Sequence, residues 1–187
     1  KTKGLNIDVL INNAGLSGST AFATTPWPNL GAEIQLMVTA VTELCHLLIP
    51  GMVARHWGRI VNVSSIAALS PPGASLLYTG IKSYVLNMSQ SLDMELKPQG
   101  VHVTALCPGF TRSEFHDAMG TRDAADKLPA ILWQEPADVV REAWRAVTKG
   151  KPVCVPGTVN KLLAGCVRPL PLALQYQLGN RLNPFKN

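Results

Sequence analysis

Arg59-Ile-Val-Asn-Val-Ser-Ser65 is the stretch that decides the fold. Gly58 leads into it, and its branched residues Ile60, Val61 and Val63 favour a pleated strand. Upstream, Ile34, Met37, Val38, Val41, Leu44, Cys45, Leu48 and Met52 recur at steps of three and four, so one wide apolar face predicts a helix over residues 28–54. Pro26 and Pro28 open it, and Pro50-Gly51 should loosen or end it. Before that helix, Ile7-Asp-Val-Leu-Ile11 reads as a buried parallel strand, closed by Asn12-Asn-Ala-Gly15 and a polar loop to Gly18. Downstream, Ser70-Pro-Pro-Gly73 is loop punctuation, and a second helix is expected over residues 75–97, stopped by Pro98-Gln-Gly100. Val101-His-Val-Thr-Ala-Leu-Cys107 is a third strand, ended by Pro108-Gly109. A mixed polar segment to about Gln134 predicts a mobile loop with short helices. Glu135-Pro-Ala-Asp138 looks like a helix start, running to Thr148, and Val153-Cys-Val-Pro156 like a last strand. Residues 162–178 are apolar and interrupted by Pro169 and Pro171.

Strands alternating with helices of this length predict an α/β protein with a parallel sheet. Ligands of such sheets sit outside the carboxyl ends of the strands. Asn13, Ser65 and Pro108-Gly109 fall there, and the second helix begins nearby, so the polar residues gather at one mouth.

A chain of 187 residues with 47% hydrophobic and 16% charged residues can bury one sizeable core. Cys45, Cys107, Cys154 and Cys166 lack C-x-x-C spacing and the four histidines are unpaired in sequence, so neither a disulfide framework nor a metal site is expected, and a reducing cytoplasm is the default. Lys1-Thr-Lys3 does not read as a signal peptide, and no stretch reads as long and apolar enough to span a membrane. After Glu142 the chain has seven Lys and Arg and no acid, which leaves −2 of the net +5 for the rest. A basic, apolar tail suits an anionic substrate or a membrane surface, though a solvated basic rim is the plainer reading.

Tyr78-Thr-Gly-Ile-Lys82 places a phenol and an ammonium at i and i+4, on one helix face near its start. Free Tyr titrates near pH ~10, and bringing it to neutrality requires roughly 4 kcal/mol. One cation at about 4 Å supplies that order of energy at an effective dielectric of ~20. Taken singly, each residue has a plainer reading: Tyr78 as an amphipathic helix residue, Lys82 as a solvated charge, Ser65 as a strand-end hydroxyl, Asn13 and Gly15 as a strand stop.

In this order, Asn12-Asn-Ala-Gly15, Ser65, Tyr78-x-x-x-Lys82 and Pro108-Gly109 resemble the short-chain dehydrogenase/reductase family over essentially the whole chain, with Ser65 thirteen residues before Tyr78. The resemblance implies a Rossmann-like doubly wound parallel sheet and an NAD(P)-dependent oxidoreductase that interconverts a carbonyl and an alcohol, with NAD or NADP as cofactor. It implies that Tyr78 exchanges the proton, that Lys82 lowers the tyrosine pKa and holds the nicotinamide ribose, and that Ser65 polarises the substrate oxygen. Asn13, Ala14 and Gly15 would form the cofactor floor. Pro108 and Gly109 would pass the nicotinamide ring, and Ser113, or alternatively Thr111, would contact the carboxamide. Residues 1–187 would form a single, partial domain, with a substrate loop at 110–135, which includes His116, and a substrate-covering segment at 158–187. The partners implied are an apolar small-molecule substrate and one or three further copies joined through the two long helices, with no nucleic acid.

Two departures from the family pattern stand out. No glycine-rich turn for a pyrophosphate occurs, and the first strands that would carry it are missing from the sequence. Met37 stands where the family has a catalytic Asn that helps hold a proton-relaying water. Both departures support the alternative of a catalytically impaired, SDR-like binding protein.

Overall fold

A computed structural model describes residues 4–16, 22–71, 77–113 and 128–182. Four strands, β1 (Val9–Asn12), β2 (Gly58–Val63), β3 (Val101–Leu106) and β6 (Val153–Cys154), form one parallel sheet in the order β1-β2-β3-β6. The connections are helical: α1 (Trp27–Ile34) and α2 (Ala40–Ala54), α3 (Leu77–Leu96), and α4 (Pro136–Thr148). Helices α5 (Thr158–Val167) and α6 (Leu172–Leu182) end the chain. The α/β parallel architecture expected from the sequence is present.

The two central strands are covered on both faces, which is why they read as nearly continuous apolar runs. Val61 and Leu106 pack with Val139, Ala143, Ala146 and Val147 of α4 on one face. Ile60, Val101 and Val103 pack with Cys45, Met52 and Leu96 of α2 and α3 on the other. Adjacent residues 60 and 61 thus serve opposite layers, as strand alternation requires. Each Val, Leu, Ile or Met among them contributes about 1.5–3 kcal/mol when fully buried.

Several local expectations are corrected. Of the two readings of Pro50-Gly51 the ending is not found, and the helix keeps its expected bound. It continues to Ala54 with Pro50 inside it; Met52, wholly buried against the sheet, holds the last turn in place despite the lost backbone donor. Between α1 and α2, Gln35–Thr39 widens into a π-helical turn with Met37 buried in it. Such turns insert a residue into the helical ladder and often mark functional positions. The continuous run Trp27–Ala54 is long and apolar enough to cross a membrane by length and composition, contrary to the reading from sequence. Met37, Val41, Cys45 and Met52 are buried along it, so in this fold it forms a layer of the domain. The first strand begins at Val9 rather than Ile7. The segment read as loop contains two very short strands, β4 (Phe110–Thr111) and β5 (Trp133–Gln134), which pair in parallel.

Candidate active site

The sheet delivers its polar residues to one end. After β2 the chain reaches Ser64 and Ser65, and Ser65 caps the short 3-10 turn Ile66–Leu69, its hydroxyl accepting from the Ala67 N–H at 3.1 Å. Tyr78 and Lys82 lie in the first turns of α3, whose Leu86 and Val85 are buried and fix the helix rotation. That rotation brings Ser65 within a hydrogen bond of the Tyr78 phenol. The Lys82 ammonium, on a residue only 5% exposed, donates to the Val63 carbonyl at 2.8 Å and stands 5.5 Å from the centre of the Tyr78 ring.

The Asn-Asn-Ala-Gly turn passes beside the lysine. A Cβ on Gly15 would lie 3.7 Å from Lys82 Nζ and 3.6 Å from Met37 Sδ. Glycine therefore keeps open the space between the ammonium and the thioether, while Asn13 and Ala14 are exposed on the rim. Ser65, Tyr78, Lys82 and Gly15 are thus brought together, and Met37 meets them from α1–α2.

Electrostatics follow from burial. Desolvation pushes the Lys82 amine down to about 8, opposed by the neighbouring Cys107 thiol. Burial also pushes the Tyr78 phenol above its ordinary value, against the Ser65 hydrogen bond, which favours the phenolate. The depressed tyrosine expected from the i, i+4 lysine is not found. Desolvation of the phenolate outweighs the Ser65 hydrogen bond that favours it.

The Pro108–Thr111 stretch is held from outside. A Cβ on Gly109 would come within 2.6 Å of the Asn160 side chain, so only glycine fits there. Asn160, buried in α5, donates to Gln134 Oε1 at 2.8 Å and to the Pro156 carbonyl at 3.1 Å. Gln134 in turn pairs with Thr111 across the short ladder. Thr111 Oγ1 donates to the Gly109 carbonyl at 3.1 Å and Ser113 Oγ to the Thr111 carbonyl at 3.4 Å, with Ser113 exposed at the end of the described stretch. Residues 114–127 of the expected substrate loop, His116 among them, and residues 183–187 of the tail lie outside the described residues.

Reading the sequence missed three supports. Ser64 donates to the Lys82 carbonyl at 2.7 Å, tying β2 to α3. Asn12 donates to Asn62 Oδ1 at 2.7 Å, and Asn62 donates to Ser89 Oγ at 3.0 Å, all three buried. Asn160 is the third. An asparagine inside the apolar run 60–63 was the available signal, because a buried amide needs partners. Two clefts lie away from the cluster: one beside Trp133, Glu135 and Arg141, the other between α2 and α3 at Thr42, Tyr84 and Leu92.

A parallel α/β sheet with Ser65, Tyr78 and Lys82 converging outside its strand ends defines a Rossmann-like protein of the nucleotide-dependent class. The chain belongs to the short-chain dehydrogenase family, whose model matches residues 1–124. It is 34% identical over 125 residues to the ketoacyl reductase HetN of Nostoc sp., covering 67% of this chain and 43% of that protein. It is 29% identical over 184 residues to the very-long-chain 3-oxoacyl-CoA reductase of Bos taurus, covering 94% of this chain and 54% of that protein. Among solved structures, a short-chain dehydrogenase of Sphingobium yanoikuyae in complex with NADPH superposes with a TM-score of 0.73 at 28% identity, over 94% of this chain and 62% of that one. The chain spans about half the length of the curated relatives it matches.

Proposed function

We propose that this chain carries the proton-transfer half of an NAD(P)H-dependent ketone reductase, with a 3-oxoacyl thioester as substrate. The observation that carries the reading is the Ser65 hydrogen bond to the Tyr78 phenol, with the Lys82 ammonium buried alongside. Two relatives are named for reducing ketoacyl groups and one solved relative holds NADPH, which supports both the substrate class and the cofactor.

The residues fit the nicotinamide end of such a cofactor. Gly15 leaves a gap beside Lys82 that a side chain would fill, and Gly109 lets the chain run close under Asn160. Asn13, Ala14, Gly15, Pro108, Gly109, Thr111 and Ser113 would line this half, and Lys82 would hold the ribose. When bound, the nicotinamide supplies the hydride. Ser65 then holds the ketone oxygen, and Tyr78 gives it the proton that completes the alcohol. Burial keeps the phenol protonated, the form that donates a proton to a ketone oxygen. Lys82 keeps the resulting phenolate from being an unpaired buried charge, and the Val63 carbonyl keeps the ammonium in place.

The test is oxidation of NADPH by the full-length protein against a panel of 3-oxoacyl thioesters and simple ketones, for wild type and Tyr78→Phe. Loss of about 10²–10⁴ in kcat with unchanged cofactor binding is expected, the range for one positioned proton donor. Equal rates would remove Tyr78 from the reaction, and no turnover by wild type with any carbonyl would favour the non-catalytic reading that Met37 supports.

A further inference from the structure

Val159, Leu162, Leu163 and Cys166 recur at steps of three and four along α5 and so share one face. Asn160 and Ala164 point inward instead and are buried. The apolar face is open: Leu162 is 64% and Leu163 46% exposed. No described residue of α6 is buried, although Leu172 and Tyr176 stack at i and i+4 with 82% and 66% exposure. An apolar surface of this kind usually meets a partner. The charge around it selects which: no acidic residue follows Glu142, so the segment carries only positive charge. Lys161 is committed to Glu142 at 2.7 Å. Arg168, in the turn between the helices, and Arg181, in the last turn of α6, are exposed.

We propose that α5 and α6 are an interfacial docking surface for an anionic lipid bilayer. Leu162, Leu163, Leu172 and Tyr176 enter the boundary between headgroups and acyl chains, and Arg168 and Arg181 meet the lipid phosphates. Short helices with one apolar side and polar or basic flanks lie in this plane rather than crossing it. Asn160, near the start of α5, packs against Gly109, so α5 begins beside the mouth of the site. The surface stands on the exposure and charge of α5 and α6, and holds whatever the substrate proves to be.

Vesicle flotation reads the binding without turnover. Wild-type protein should float with phosphatidylglycerol-rich vesicles and only weakly with pure phosphatidylcholine. Leu172→Glu combined with Tyr176→Glu should lower the bound fraction by more than about tenfold, since two exposed apolar anchors are lost. Arg168→Gln should lower binding about fivefold on anionic vesicles and leave the neutral ones unchanged, the share of one basic residue near such a surface. Circular dichroism melts, unchanged at these exposed sites, keep the comparison to folded protein. Failure of wild type to float with anionic vesicles overturns the proposal, as does equal binding to both lipids or indifference to the substitutions. Loss of a dimer on gel filtration in the Glu variants, with no vesicle binding by wild type, would assign the face to a second copy instead.

Discussion

Lys82 is stored in a state that costs stability. Its amine titrates near about 8 in the folded chain against an ordinary 10.5. Between those values the unfolded chain binds a proton that the folded chain does not, so raising the pH above about 8 stabilises the fold, by up to about 3 kcal/mol from this group. Cys107 and Cys154 work the other way. Burial holds both thiols up to about 11 from 9.0, so the unfolded chain loses their protons first and stability falls once pH passes 9. The lysine's share is therefore visible between pH 8 and 9. In urea titrations at these two values, Lys82→Met should lose the rise in stability that wild type shows, while abolishing turnover. An identical pH slope in the variant would mean that Lys82 titrates normally. Met37 makes the companion case. Its thioether and Lys82 flank Gly15, and the family resemblance implies an amide at position 37. Met37→Asn should raise kcat while costing about 1–3 kcal/mol in stability, because the new amide enters a site only 1% exposed. A lower stability with unchanged kcat would show that the relay does not use this position.

Among the elements, strands and helices with sustained periodicity were legible, as was the short last strand at Val153–Cys154, whereas the β4–β5 ladder was not. The run 101–107 and the apolar face of residues 28–54 each repeat long enough to declare their period, and both are present. The β4–β5 ladder has two residues per strand, too few for any period, and its pairing depends on Phe110 and Trp133, whose rings lie 5.7 Å apart and far apart in sequence. The i, i+4 spacing of Tyr78 and Lys82 was legible as chemistry, but the direction of the tyrosine's pKa was not, because desolvation depends on what packs around the ring. The amide chain behind the site is likewise an effect of packing, since Asn12, Asn62 and Ser89 sit on β1, β2 and α3. It joins the strand that ends in the Gly15 turn, the strand that ends at Ser65, and the helix that carries Tyr78. Asn62→Leu fits the volume but removes the acceptor of the Asn12 amide and the donor to Ser89 Oγ, which keeps its bond to the Val85 carbonyl, so unfolding should become easier by about 2–4 kcal/mol, against about 1 kcal/mol for Ser89→Ala. Equal losses in the two variants would mean that Asn12 finds another acceptor, and Cys45 Sγ, 3.6 Å from the Asn12 amide, is the one at hand.

On the scale of the whole molecule, the sheet is asymmetric. Val61 of β2 is covered by α4, whereas its register partner Ile11 on β1 is 58% exposed. Among the described residues β1 pairs with β2 alone, so its other side presents backbone donors and acceptors beside Ile11 and the exposed Leu5. An apolar strand with one open side is a template for another strand. The central strands cannot serve this way, since both their edges are paired and both their faces covered. Residues 1–187 taken by themselves should therefore associate in a concentration-dependent way through β1. Ile11→Lys puts a charge on the open edge without disturbing a buried contact, so its effect on unfolding should stay within about 0.5 kcal/mol. Light scattering at rising concentration should show large species for wild type and far fewer for Ile11→Lys. Equal scattering from the two would move the association off this edge, toward the Leu44 and Leu47 face of α2 or the leucines of α5 and α6. Leu172→Glu separates these last two, because it acts on the terminal helices alone.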